Sequence, residues 1–136
     1  MEDVTTRPVV IPPSAAPAQR VLRARGVRMA VLIGRAEGAP NFITRRFLLA
    51  PGAAIPMHLH PTIEHEQVMV RGEMVLGLGK ESRTLRAGDA VFIPAGRPHS
   101  YRNLGSEEAE FLCVVPATAD YATEWLEPPP AGAFLG

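Results

Sequence analysis

One cysteine in 136 residues leaves no room for an internal disulfide, and a lone thiol suits a reducing compartment. An excess of charge of either sign is missing as well. Lysine plus arginine equals aspartate plus glutamate at fourteen each, so the chain as a whole has no field that would draw it to nucleic acid or to a membrane surface. No apolar run approaches the roughly 18 residues that span a bilayer. The start, MEDVTTRPVV, lacks the basic opening and apolar middle of a secretory signal, so a cytoplasmic location is expected. The 3.6-residue repeat of an amphipathic helix is absent between residues 20 and 116. What the chain has in quantity is proline, fourteen residues, and glycine, twelve, which favour short strands and frequent turns over long helices.

The length suits one domain. Residues 1–19, rich in Pro, Ala and Ser, read as an extended arm or tail in which only Val9, Val10 and Ile11 are apolar enough to dock as a strand. From Val21 the runs VLRARGVRMAVLIG, NFITRRFLLA, AIPMHLH, HEQVMVRGEMVLGLG, SRTLR, DAVFIP, HSYRN and AEFLCVVP follow one another, separated by turn residues at short, even spacing. This pattern over residues 20–116 predicts an all-β antiparallel sandwich or jelly roll. In the tail, 117–136, TADYATEWLE is expected to form one short helix, capped by Thr118 or Asp120 and stopped by the prolines at 128–130.

Three of the four histidines lie within eight residues. His58 and His60 are two apart, so on a strand their side chains leave the same face. The segment from Pro61 to Glu64 can turn the chain and bring His65 back on the neighbouring strand. Three imidazoles would then meet at one point, and ring nitrogens favour Mn, Fe, Zn, Ni or Cu over Mg or Ca. A lone histidine is usually a surface or hydrogen-bonded core residue; the surrounding glycines and prolines are what set these apart.

Gly52 to Gly72 reads G-x5-H-x-H-x4-H-x6-G, and Gly88 to Asn103 reads G-x5-P-x-G-x2-H-x3-N. The two segments resemble the two conserved motifs of the cupin superfamily. The second fits at every defined position: Gly88, Pro94, Gly96, His99 and Asn103. In the first, His65 stands where most of that family has glutamate. The phrases RGVRMAVLIG, APNFITRRF, EHE and EFLCVVP narrow the resemblance to small bacterial four-histidine manganese cupins, although PTIE is one residue longer than their usual PWE. The resemblance runs from about Arg25 to Pro116. It implies a double-sheet jelly-roll barrel with one divalent transition metal, manganese foremost, held by His58, His60, His65 and His99. Iron, zinc, nickel and copper are the alternatives. Local chemistry agrees for His99, which the PAGRPH turn, stiffened by Pro94 and Pro98, places at a strand start. Four imidazoles around a six-coordinate ion leave two adjacent positions open, as in a catalytic site. Four neutral ligands also leave the full 2+ charge, which suits an anionic substrate.

Strand alternation from His65 sends Gln67 and Met69 inward and Glu66 and Val68 outward. Gln67 is therefore a candidate for hydrogen-bonding a substrate or metal-bound water, or simply a polar residue at the barrel mouth. Tyr101 shares the face of His99 and either walls the pocket or donates its hydroxyl. Cys113 shares a face with Phe111 and Val115, either lining the cavity or packing as a buried apolar thiol. Of Arg45 and Arg46 only one can face inward, where it would meet an anionic substrate or form a structural ion pair. Glu64 and Glu66 are expected to face solvent, while Met57, Trp125 and Phe134 are expected over a pocket or a subunit interface.

Three functions compete. The first is a dioxygenase- or peroxygenase-like oxidoreductase acting on a small enol, diketone or alkene at a Mn or Fe centre. The second is a non-oxidative isomerase, lyase or polyketide cyclase using the same Lewis acid. The third is a binding or sensor module without turnover. A homodimer is expected, because the edges of such a sandwich are commonly buried by another copy and the arm could add a strand to it.

Overall fold

The computed structural model describes residues 7–118 and 120–136; residues 1–6 of the arm and Ala119 lie outside the described part. Side-chain alternation builds the strands. In β9 (Ala109–Pro116) burial alternates residue by residue, placing Ala109, Phe111, Cys113 and Val115 inside. β4 (His65–Arg71) does the same, with His65, Gln67 and Met69 in and Glu66 and Val68 out, as its sequence pattern predicts. The other strands are β1 (Gln19–Arg20), β2 (Arg25–Ile33), β3 (Phe42–Leu59), β5 (Glu73–Leu78), β6 (Glu81–Arg86), β7 (Ala90–Ile93), β8 (His99–Arg102) and β10 (Glu124–Trp125). Every pairing is antiparallel.

The two halves of the jelly roll share one strand. β3 is 18 residues long. Its first half pairs β2 and β9 from Phe42 to Leu49, and its second half pairs β8 between Ala54 and His58. The main path therefore runs β6-β5-β8-β3-β9-β4-β7 as one curled network instead of two separate sheets. Between the halves the chain bends at Gly52, whose φ of 82° is unfavourable for a residue with a side chain.

The core lies inside this curl. Phe111, Leu49, Ile63, Met74, Leu76, Ile93 and Val115 are almost completely buried, each contributing about 1.5–3 kcal/mol by leaving water. Phe111 is stacked between Phe47 and Tyr101, with ring centroids 4.8 and 5.2 Å away. Gly72, closing the β4–β5 turn at φ 73°, has the Glu108 carbonyl 2.7 Å from where a Cβ would sit. Only glycine fits there. Asn103 is fully buried and structural: Nδ2 donates to the Leu49 and Glu107 carbonyls, and Oδ1 accepts from the Gly105 amide.

One expectation is corrected. Among the described residues the tail forms no helix. Glu124 and Trp125 pair with Leu59 and His58 as a short strand, and the Leu126 amide donates to the Met57 carbonyl. A segment held between Pro116 and Pro128 has room for few helical turns, and an available edge of β3 satisfies its backbone better. Val9–Ile11 lie in an extended arm without a strand partner in the chain; Val10 is almost fully exposed, and pairing begins at Gln19. Among the described residues no helix is long and apolar enough to cross a membrane.

Candidate metal centre

All four histidines are buried and turned into one end of the curl. His58 lies near the end of β3 and His60 just follows its last residue, His65 opens β4 and His99 opens β8. Cα pairing sets His58 beside His99, and their ring centroids are 4.3 Å apart. The second motif is tied to the first by the Gly96 amide, which donates to the His60 carbonyl at 2.9 Å. Ligand atoms of His58, His60 and His99 all lie within 4.8 Å of one another. The His65 ring is adjacent, 5.1 Å from His60 and 5.0 Å from His99, but falls outside that compact triad.

The triad is oriented by carbonyl oxygens. Nδ1 of His58 contacts the Pro56 carbonyl at 2.8 Å, that of His99 the Arg97 carbonyl at 2.9 Å, and that of His60 the Ala122 carbonyl at 3.1 Å. A carbonyl only accepts, so each Nδ1 carries the proton and each Nε2 keeps its lone pair for another partner. His99 Nε2 is buried with nothing to bond. A nitrogen lone pair so placed is costly unless something electrophilic meets it. His65 differs, because its Nδ1 is buried without a partner and no carbonyl fixes its ring.

Protonation is resisted throughout. Burial, then the neighbouring His99, pushes His58 and His65 down to about 3. Burial chiefly lowers His99 to about 4, and it also lowers His60. Near neutrality the four rings are thus uncharged, the form that binds metal. Neutral imidazoles, three of them with Nε2 set free, that of His99 buried and unpartnered, fit a divalent transition ion.

The rings line a cavity of about 190 Å³, walled on its apolar side by Val21, Leu22, Met29, Phe47, Ile55 and Trp125. Gln67 and Tyr101 also line it, and Gln67 Nε2 donates to the Tyr101 hydroxyl at 2.6 Å and more weakly to Cys113 Sγ at 3.5 Å. Gln67 Oε1 is left without a donor. Burial raises the Tyr101 phenol well above its ordinary value, so it stays protonated. Cys113 is fully buried and touches Arg45 rather than the histidines. Arg45, not Arg46, lines the cavity. Glu64 and Glu66 are exposed, as expected.

Sequence reasoning places Trp125 over a pocket, which it lines, but misses Tyr121 and Thr123. Tyr121 lies against His60 with centroids 4.7 Å apart, and Trp125 against His58 at 4.9 Å. Thr123 Oγ1 is 3.1 Å from His60 Nδ1. These contacts join residues some sixty positions apart, and no local spacing announces them. Phe134 sits elsewhere, under the Arg20 guanidinium.

Fold and site together define a β-barrel protein whose clustered imidazoles can hold a metal ion. The cupin domain family model matches residues 45–115, and the chain belongs to that family. Among proteins of known role it is 35% identical over 75 residues to the polyketide synthase CurC of Streptomyces cyaneus, covering 55% of this chain and 49% of that one. It is 34% identical over 71 residues to oxalate oxidase GF-2.8 of Triticum aestivum, covering 46% of this chain and 32% of the oxidase. The chain thus spans half or less of the length of these relatives. The polyketide cyclase RemF from Streptomyces resistomycificus superposes with a TM-score of 0.75 at 27% identity, covering 96% of this chain and 88% of RemF.

Proposed function

We propose that the protein is a metal-dependent cupin oxidoreductase, dioxygenase- or peroxygenase-like, acting on a small enol, diketone or alkene. In this reading His58, His60, His65 and His99 together hold one Mn or Fe ion. The observation that carries it is the set of three carbonyl-oriented imidazoles opening onto a small, largely apolar cavity. The bound ion would supply Lewis acidity and a redox couple. The chain's own residues do the rest. Val21, Met29, Phe47 and Trp125 exclude water, and Gln67 Oε1 accepts a hydrogen bond from a substrate hydroxyl. The Tyr101 phenol, held by Gln67, stays neutral as a wall and donor. Cys113 is a packing and polar neighbour of Arg45. The likeness to oxalate oxidase supports oxidation, and exposed strand edges support a homodimer.

The likeness to RemF over nearly the whole chain favours a second reading, metal-assisted cyclisation without oxidation. One experiment separates the two. Protein purified without added metal is analysed for its elements and then given a small 1,3-diketone while dissolved oxygen is followed. Manganese or iron with oxygen uptake is the expected result. Zinc with no oxygen uptake would replace the first reading by the second.

A further inference from the structure

Four ion pairs occur among the described residues: Arg28 with Glu108, Arg71 with Glu108 and with Glu110, and Arg86 with Glu73. All join exposed or half-exposed side chains, where a pair is worth at most about 1 kcal/mol. Arg45 belongs to none of them. It leaves β3 beside Cys113 of β9 and points into the histidine cavity. Its Nη2 donates to Cys113 Sγ at 3.2 Å. Its Nε is buried with no acceptor. Phe47 and Tyr121 flank the guanidinium, with ring centroids 5.2 and 5.4 Å from Cζ, which holds the plane in place by cation–π attraction.

Among the described residues no aspartate or glutamate lines this cavity. A guanidinium held in a poorly solvated pocket without a counter-charge is unfavourable unless an anion arrives. Its planar fork can grip a carboxylate or a phosphate at two points, and with Arg45 the one Lys or Arg among the described lining residues, a singly charged carboxylate is the better match. The remaining wall is aliphatic and aromatic. The space, worth roughly six water molecules at the density of liquid water, suits a compact body carrying one acidic group.

We propose that Arg45 anchors the carboxylate of a small amphipathic acid whose apolar body lies against Phe47, Met29 and Trp125, with its far end directed at the histidines. This deepens the metal-enzyme reading by naming the substrate class, and it rests on that reading only for what happens at the far end.

Trp125 is the sole tryptophan and lines the cavity, so its fluorescence reports occupancy. The full chain, stripped of metal with a chelator, is titrated with benzoate and with its neutral analogue benzamide. Benzoate is expected to bind about tenfold or more tightly, the worth of a charge-assisted pair, and Arg45→Gln to abolish that preference. Should the glutamine variant fail to fold, Arg45→Lys replaces it and is expected to reduce the preference, since an ammonium cannot make the two-point contact. Equal affinities in the wild type, no Trp125 response to either probe, or a preference unchanged in the folded variant would overturn the proposal. Metal content is measured separately on the untreated protein. A benzoate preference in a chain that never binds metal would sink the enzyme reading alone, whereas bound metal without the preference would sink the anchor alone.

Discussion

The two sides of the cavity present their imidazoles differently. On the β3–β8 side, His58, His60 and His99 each have Nδ1 against a carbonyl and Nε2 free. On the β4 side, His65 has a buried Nδ1 with no partner at all. The first side is set before any ion arrives. The second gains its orientation only from what it meets. The lesson is that burial alone does not make a ligand; a hydrogen bond behind the ring decides which nitrogen faces forward.

The largest effect expected from breaking this contrast comes from the oriented side. His99→Ala should lower metal affinity by more than about 100-fold, beyond the loss typical of changes behind a ligand, and elemental analysis after dialysis should find the site nearly empty. His65→Ala should cost clearly less. Equal losses from the two variants, measured by titration calorimetry, would mean that the two sides do not differ.

Acid should expose the same contrast in the metal-free chain. The unfolded imidazoles take up protons below about pH 6.5, whereas the folded His58 and His65 resist down to about 3 and His99 to about 4. The unfolded state therefore binds more protons across that window, so stability is fully present above about pH 6.5 and is lost progressively as the pH falls toward 3. Bound metal adds to the same slope, because it also demands neutral rings. Denaturant midpoints between pH 7 and 4 should drop steadily for the wild type and less steeply for His65→Ala. A flat profile would remove the burial argument.

A smaller change is expected from His65→Glu, which should keep the metal while weakening anionic ligands such as benzoate by several-fold, because it cancels one charge of the ion. Complete loss of metal in that variant, seen by elemental analysis, would show that His65 cannot be exchanged as a simple ligand. Smallest of all is Thr123→Val. His60 Nδ1 keeps the Ala122 carbonyl, so metal affinity should fall by about tenfold at most, toward the low end for such outer partners. A larger fall would make the tail hydroxyl, not the carbonyl, the true partner of His60.

Much of this was legible because it is local. Alternation carries His65, Gln67 and Met69 to one face whatever the rest of the chain does, and HxH places His58 and His60 together for the same reason. Gly72 and Asn103 were legible as motif positions, although their physical roles, a carbonyl 2.7 Å from the absent Cβ and three hydrogen bonds to backbone, appear only in three dimensions. The choice between Arg45 and Arg46 needed the register of β3 on β9. The tail was read as a helix because its own ten residues allow one; the edge of β3 that captures it lies far away in sequence. The compactness of the triad without His65 depends on distances of a few ångströms, which no spacing rule resolves.

The partner that orients His60 stands 62 residues further along the chain. Ribosomal synthesis therefore finishes His58, His60 and His65, and later His99, before the oxygen that steers the His60 ring has been made. Of the three carbonyl-held rings, His60 alone takes its orienting oxygen from the tail, whereas His58 and His99 find theirs two residues upstream, so only the His60 ring waits for the last part of the chain to pack.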